Sequence, residues 1–244
     1  MSAAPGPDAR ARARLYQLAA ALVTAGLIVA VLLAVFSSSG SPRLVPGRPV
    51  PGAAKTLALF AGIPQQGLVL GQPRAPVTLV EFGDLQCPAC ATFARKALPA
   101  IVSDYVRPGR VKLLFRPLAF IGPDSRRAAQ MAVAVGEQNR LWQFADLMYR
   151  NQGLENSSYV SDTYLRALAT AIPGENVSRA LAARGSAGEQ AQLAEAKVLA
   201  ARQRLRETPS FLLSRSGAPG RAFSPQSFDS ASFSGPLQKL LAGG

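Results

Sequence analysis

The chain has 244 residues, with 27 basic and 14 acidic side chains for a net charge of +13, two cysteines and no histidine. The absence of histidine removes the commonest metal ligand and the commonest general base. The excess charge is dispersed, six basic against one acidic residue up to Gln66 and 21 against 13 from Gly67 on. No basic run is interleaved with aromatics, so the pattern speaks against nucleic-acid binding and for a solvated basic surface beside an anionic membrane.

Residues 1–14 form a basic tail with Arg10, Arg12 and Arg14 against Asp8 alone. Residues 15–36 carry no charge, a run long enough for the roughly 20 residues that cross a bilayer. They are expected to form one transmembrane anchor; its basic flank places residues 1–14 in the cytoplasm and the rest of the chain outside. A cleaved signal peptide is the alternative, with Ser37-Ser38-Ser39 as small residues for cleavage; its apolar core would normally be shorter, about 7–15 residues. Either way the chain beyond is exported to the extracytoplasmic side, secreted if the segment is cleaved. No cysteine lies near the end of the run, which excludes lipoprotein attachment. Residues 37–57, rich in Ser, Pro and Gly at their start, are expected to be an extended spacer.

A folded domain is expected over residues 58–244. The segment from Ile63 to Gly71 suggests a short edge strand and a turn. Val77 to Phe82 is a β-rich apolar run with one acid inside, as a central strand requires, and Gly83 to Gln86 follow as a loop. From Pro88 to about Tyr105, Ala91, Phe93, Ala94, Ala97, Leu98, Ile101 and Val102 recur at helical spacing, with a kink expected at Pro99. Val111 to Phe115 predicts a second strand. An all-helical insertion is expected over about 124–207, broken at Gly136, Gly153, Pro173-Gly174 and Gly185, with Trp142, Ala145, Met148 and Tyr149 as a packed stripe. Ser210 to Leu213 and Arg221 to Phe223 predict a hairpin, and Phe228 to Leu241 a last helix interrupted near Gly235-Pro236. Strand, helix, strand, helices, hairpin and helix together imply an α/β fold with a mixed sheet flanked by helices.

The two cysteines are Cys87 and Cys90, in Cys87-Pro88-Ala89-Cys90. A disulfide that closes so short a loop constrains the unfolded chain very little, so a structural staple explains the pair poorly. A zinc site needs four ligands, and neither a second pair nor a histidine is present. Thiol–disulfide chemistry is the better reading, with an inert local disulfide or a metal shared between two chains as alternatives. Pro88 suits the first position of a helix. Cys87 then lies at the N-cap, where unpaired amides and the helix dipole favour a thiolate, and Cys90, one turn on, is the more buried resolving partner.

The segment Val80-Glu81-Phe82-Gly83-Asp84-Leu85-Gln86-Cys87-Pro88-Ala89-Cys90 resembles the active site of DsbA-like members of the thioredoxin superfamily. Thr208-Pro209-Ser210-Phe211-Leu212-Leu213 resembles the cis-proline strand of that superfamily, and the helical insertion matches DsbA-like members. The likeness runs from about Ile63 to the C-terminus. It implies a thioredoxin-like fold and a cis Pro209 beside the disulfide. It implies that the Thr208 backbone pairs with client peptide and that Glu81 is a buried acid that ferries protons for the resolving thiol. It assigns Asp84 to the turn rather than to catalysis.

The implied activity is protein thiol–disulfide oxidoreduction without cofactor or metal, with Cys87 and Cys90 as the catalytic, redox-active disulfide, most simply as a dithiol oxidase of exported cysteine-containing proteins. A membrane quinone-linked thiol oxidase of the DsbB or vitamin K epoxide reductase-like kind would recharge it. A reductase or isomerase of the same fold, or a non-catalytic thioredoxin-like binding module, are the alternatives. Two departures bear on the direction of electron flow. Ala89 stands where strongly oxidising relatives carry histidine, and Glu207 stands where glycine is common and is expected to push the Cys87 thiol up. Asn156-Ser157-Ser158 and Asn176-Val177-Ser178 are weak glycosylation-type matches.

Overall fold

Val77–Gly83 is mostly apolar and, Thr78 aside, buried on both faces, and a strand of that kind belongs in the middle of a covered sheet. The computed structural model, which describes residues 17–18, 20–31 and 43–243, places it there. The elements of the main unit are α1 (Ala53–Phe60), β1 (Gln65–Gln66), β2 (Val69–Leu70), β3 (Val77–Gly83), α2 (Pro88–Lys96), α3 (Leu98–Ile101), a π-helical turn (Val102–Val106), β4 (Val111–Pro117), five helices α4 to α8, β5 (Ser210–Arg215), β6 (Arg221–Phe223) and α9 (Ala231–Ala242). The helices between β4 and β5 are α4 (Pro123–Gly136), α5 (Leu141–Arg150), α6 (Asp162–Thr170), α7 (Val177–Ala183) and α8 (Ala187–Arg202). The sheet order is β1-β2-β4-β3-β5-β6. Only the β3–β4 pair is parallel; the others are antiparallel.

The parallel pair needs a crossover, which α2, α3 and the π-helical turn supply. Pro99 lies at the start of α3, and the expected break falls just before it, at Ala97. One face of the sheet carries Val77, Leu79, Phe115 and Phe211 into the main core, with α2, α5 and α9. There Phe93, Phe211, Phe223 and Phe233 join α2, β5, β6 and α9, with ring centroids as close as 4.8 Å. The other face carries Val80, Phe82 and Leu212, covered by Ala200 of α8. Trp142 of α5 meets Phe115 edge-on at 6.0 Å and donates its indole N–H to the Leu68 carbonyl at 3.1 Å, tying the insertion to the sheet.

Three boundaries differ from expectation. Folding begins before residue 58: Val50 is buried, and α1 takes residues 53–57 from the expected spacer. These residues are Ala, Lys, Thr and Leu rather than Ser and Pro, and Thr56 and Phe60 have partners, since Thr56 bonds Asp146 and Phe60 lies 6.4 Å from Trp142. Gly83 closes β3, paired with Pro117, rather than opening a loop. The last helix runs unbroken through Gly235-Pro236, because Phe233 and Leu237, one turn apart and both buried, hold it against the core across the proline.

Residues 1–40 form a separate unit. Its described residues are helical over 20–31, with apolar side chains such as Leu22 and Val23 exposed. Among the described residues no helix is long and apolar enough to cross a membrane. Both ends of the expected 15–36 anchor, and the whole 1–14 tail, lie outside the described residues.

Candidate active site

The turn that delivers Cys87 is built by Asp84. Its carbonyl accepts the Cys87 N–H at 3.0 Å, and its Oδ1 accepts the Gln86 N–H at 2.9 Å. Asp84 is therefore the turn residue expected, but it is also a buried hub. Oδ1 accepts the Ser125 hydroxyl at 2.6 Å, and Oδ2 accepts the N–H groups of Phe120 and Ile121 at 3.1 and 3.2 Å. Gln86 donates to Ser125 Oγ at 2.8 Å and accepts from the Asn156 N–H at 2.9 Å. Gln152 donates to the carbonyls of Leu85 and Cys87, at 3.0 and 3.2 Å. Two loops and the first turn of α4 thus clamp the segment before α2. Asn156 is taken up in this clamp and Asn176 caps α7 by accepting the Arg179 N–H, so both glycosylation-type asparagines have structural duties.

Cys87 is the N-cap of α2 with Pro88 at the first helical position, so the helix mouth opens onto Sγ. Both cysteines are free thiols. Cys87 is 8% exposed and Cys90 0%, which makes Cys87 the less buried of the two sulfurs. The Cys87 thiol donates to the Thr208 carbonyl at 3.1 Å, and the Thr208–Pro209 peptide is cis, as the resemblance implied. Thr208 and Pro209 are thereby brought to Cys87 from across the chain.

The two thiols differ in acidity. A hydrogen bond from Cys90 to the Cys87 sulfur is the largest influence and, against the opposing effect of burial, lowers Cys87 to about 6. The Thr208 hydroxyl and the amides of Ala89 and Cys90 add to the lowering. That hydroxyl is buried and unpartnered beside the thiol form, so it is free to donate once the proton leaves. Burial, followed by the bond to Cys87 and the charges of Glu81 and Cys87, pushes Cys90 well above the ordinary thiol range. Glu207 was expected to raise Cys87. It is exposed, and the net shift is downward because hydrogen bonds to the thiolate outweigh the burial that opposes them.

Glu81 lies opposite Phe115 and Phe211 in the sheet, 4% exposed, with Oε1 lacking a partner. Burial first, and then the charge at Cys87, push its carboxyl up to about 8. It is a neutral acid at pH 7, able to give a proton to a neighbouring anion. The sequence reading passed over two groups here. Gln152 has no recognisable motif, and Tyr149, read only as part of a packed stripe, brings a buried hydroxyl without a partner to this region. Among the described residues no cluster of histidine, cysteine or carboxylate side chains is suited to a metal.

A mixed sheet of this order, with a Cys-Pro-Ala-Cys helix mouth facing a cis-proline, defines the thioredoxin-like class. The chain belongs to the thioredoxin family, whose profile, described as thioredoxin, matches residues 64–219. It is 38% identical over 109 residues to the Probable disulfide bond formation protein D of Bacillus cereus, covering 44% of this chain and 50% of that protein. The chain spans about half the length of the curated relatives it matches. The crystal structure of oxidised BdbD from Bacillus subtilis superposes with a TM-score of 0.63 at 25% identity, covering 82% of this chain and 99% of that one. The structure of alpha-DsbA1 from Wolbachia pipientis shares the fold, with a TM-score of 0.60 at 19% identity over 75% and 92% of the chains.

Proposed function

We propose that this protein is an extracytoplasmic thiol–disulfide oxidoreductase that works as a dithiol oxidase, passing the Cys87–Cys90 disulfide to exported proteins. The observation that carries this reading is the asymmetry of the pair: the less buried thiol held near 6 and the more buried one held high. A stabilised Cys87 thiolate favours the reduced enzyme, and a couple whose reduced form is favoured is an oxidant. The disulfide bond formation proteins among its relatives support the same reading.

In the oxidising direction, a client thiolate attacks Cys87 Sγ. The Cys87–Cys90 bond breaks, and Cys90 leaves with the electron pair. Glu81, protonated at neutral pH, gives Cys90 its proton and becomes a carboxylate. A second client thiolate then attacks the client sulfur of the mixed disulfide, releasing Cys87 as the thiolate that its hydrogen bonds stabilise. The client loses two electrons and the enzyme gains them. Thr208 and Pro209 line the edge where an extended client peptide would pair, and a groove bounded by Glu207, Pro209, Phe223 and Phe228 continues from it. A membrane quinone-linked thiol oxidase of the DsbB or vitamin K epoxide reductase-like kind would take the two electrons on.

The apolar 15–36 segment, with its basic flank, would hold the protein in the cell membrane with its catalytic domain outside. Recovery of the full-length protein in the membrane fraction, with Cys87 labelled in intact cells by a membrane-impermeant thiol reagent, supports this placement. Cytosolic recovery would refute it. The oxidase reading is tested by the reduction potential of the full-length protein. A value of about −120 to −180 mV supports it, and one near about −270 mV would make the protein a reductase.

A further inference from the structure

Glu81 and Gly83 are two residues apart on β3 and therefore point to the same face of the sheet. Gly83 has no side chain, and the space it leaves is filled from α5: a Cβ there would lie 2.8 Å from the Tyr149 hydroxyl and 2.6 Å from the Phe115 ring. The hydroxyl thus stands in the position next to Glu81 on that face. Same-face neighbours along a strand are about 6.5 Å apart, a gap that a glutamate side chain spans directly or through one water. The Tyr149 hydroxyl and Glu81 Oε1 are both buried and without partners. Two unmet polar atoms, a donor and an acceptor, are thus near enough for a small shift or one water to join them.

We propose that Tyr149 is a positioning residue of the exchange site, its hydroxyl donating to the Glu81 carboxylate that forms when Cys90 takes its proton. The role in exchange rests on the oxidoreductase reading; the hydrogen bond does not. Tyr149 stays a donor throughout, because burial first, and then the charges of Cys90, Glu81, Asp84 and Cys87, hold its phenol well above its ordinary range. The ionisable groups coupled to Glu81 are Cys87, Cys90 and Tyr149, from α2 and α5, while Phe115 and Phe211 close the site from β4 and β5. The bond would favour the carboxylate, so that Glu81 parts with its proton more readily than burial alone would allow.

The test uses the reduced full-length protein and reads the pH dependence of Cys87 alkylation. The wild type should show a main inflection near 6 and, because Glu81 and Cys87 interact, a second and smaller one above it that reports Glu81. In Tyr149→Phe, which keeps the ring, the second inflection should rise by about one unit, tenfold in the ionisation equilibrium, with the first unchanged. Gly83→Ala, which pushes the hydroxyl away, should raise it likewise. If the second inflection stays where it was in Tyr149→Phe, the tyrosine only fills space and the proposal is overturned, even where the wild type exchanges disulfides. If the inflection rises but the wild type exchanges no disulfide with a reduced client, the hydrogen bond stands and its role in exchange falls with the oxidoreductase reading.

Discussion

Cys87 and Thr208 are 121 residues apart in the chain, and the Cys87 thiol donates to the Thr208 carbonyl at 3.1 Å. The same carbonyl precedes the cis Pro209, so one backbone group serves both the reactive sulfur and the edge a client would meet. When the thiol ionises it loses that bond as a donor, and the Thr208 hydroxyl can replace it. The first consequence is kinetic. Alkylation of the reduced protein should rise through a main inflection near pH 6 and modify Cys87 alone. Mass mapping of singly modified protein checks this; equal labelling of Cys90 would contradict it.

Exchange through Cys87 should leave a covalent trace. In a Cys90→Ala variant, mixed disulfides with clients should accumulate, because the internal thiol that releases them is gone. Non-reducing electrophoresis of membranes from cells expressing the variant reads the outcome. Cys87→Ala should yield none.

Stability of the reduced protein should depend on pH through two opposed groups. The Cys87 value is depressed from 9.0 to about 6 on folding, so the unfolded state binds more protons between those values and stability rises with pH there. The Glu81 value is raised from 4.5 to about 8, so the folded state binds more protons and stability falls as pH rises through that window. From 4.5 to 6 only the loss acts, from 6 to 8 the two oppose, and from 8 to 9 only the gain acts. Glu81→Gln should lessen the fall, part of which Glu175, raised to about 7, keeps, and steepen the rise from about 7 to 9. Denaturant midpoints of the reduced protein across this range measure it, and a wild-type curve that climbs steadily from 4.5 would refute the assignment.

The Asp84 hub predicts a stability effect together with a site effect. Asp84→Ala orphans the buried or half-buried N–H groups of Gln86, Phe120 and Ile121, and should destabilise by at least about 2 kcal/mol, since each buried unsatisfied donor costs about 1–3 kcal/mol. The loosened turn should also slow Cys87 alkylation at pH 7. An unchanged unfolding midpoint would show that the hub carries nothing.

Ala89 lies between the cysteines at the helix mouth, half-buried. Replacing it by His places a second donor, charged at acid pH, beside the Cys87 thiolate and should lower that thiol further. A drop of one unit corresponds to about 30 mV toward a more oxidising couple. Equilibration with glutathione would show it, and a potential that moves the other way would sink the idea.

Sequence alone determined what depends on neighbours along the chain. Val77 to Phe82 could only be a covered strand, Pro88 opened a helix at Cys87, and glycines and Pro173 cut the insertion into helices, because strand alternation, helix capping and turn chemistry are local properties. The start of the fold was misread, since Ala53 to Phe60 is too short and plain to declare itself until Trp142 and Asp146 supply its partners. Acidity was legible only in part: the helix start marked Cys87 as the more acidic thiol, but not the contacts that set its value. That Glu81 is neutral at pH 7, that Cys87 is more acidic than Cys90 despite Glu207, and that Tyr149 enters the space left by Gly83 all follow from burial and from contacts between residues far apart in sequence. A single chain carries no mark of those distances. The order of the two thiols could be read from the helix start, but only the tertiary structure, by excluding water around one carboxyl and aiming donors at one sulfur, decided how far apart their acidities lie.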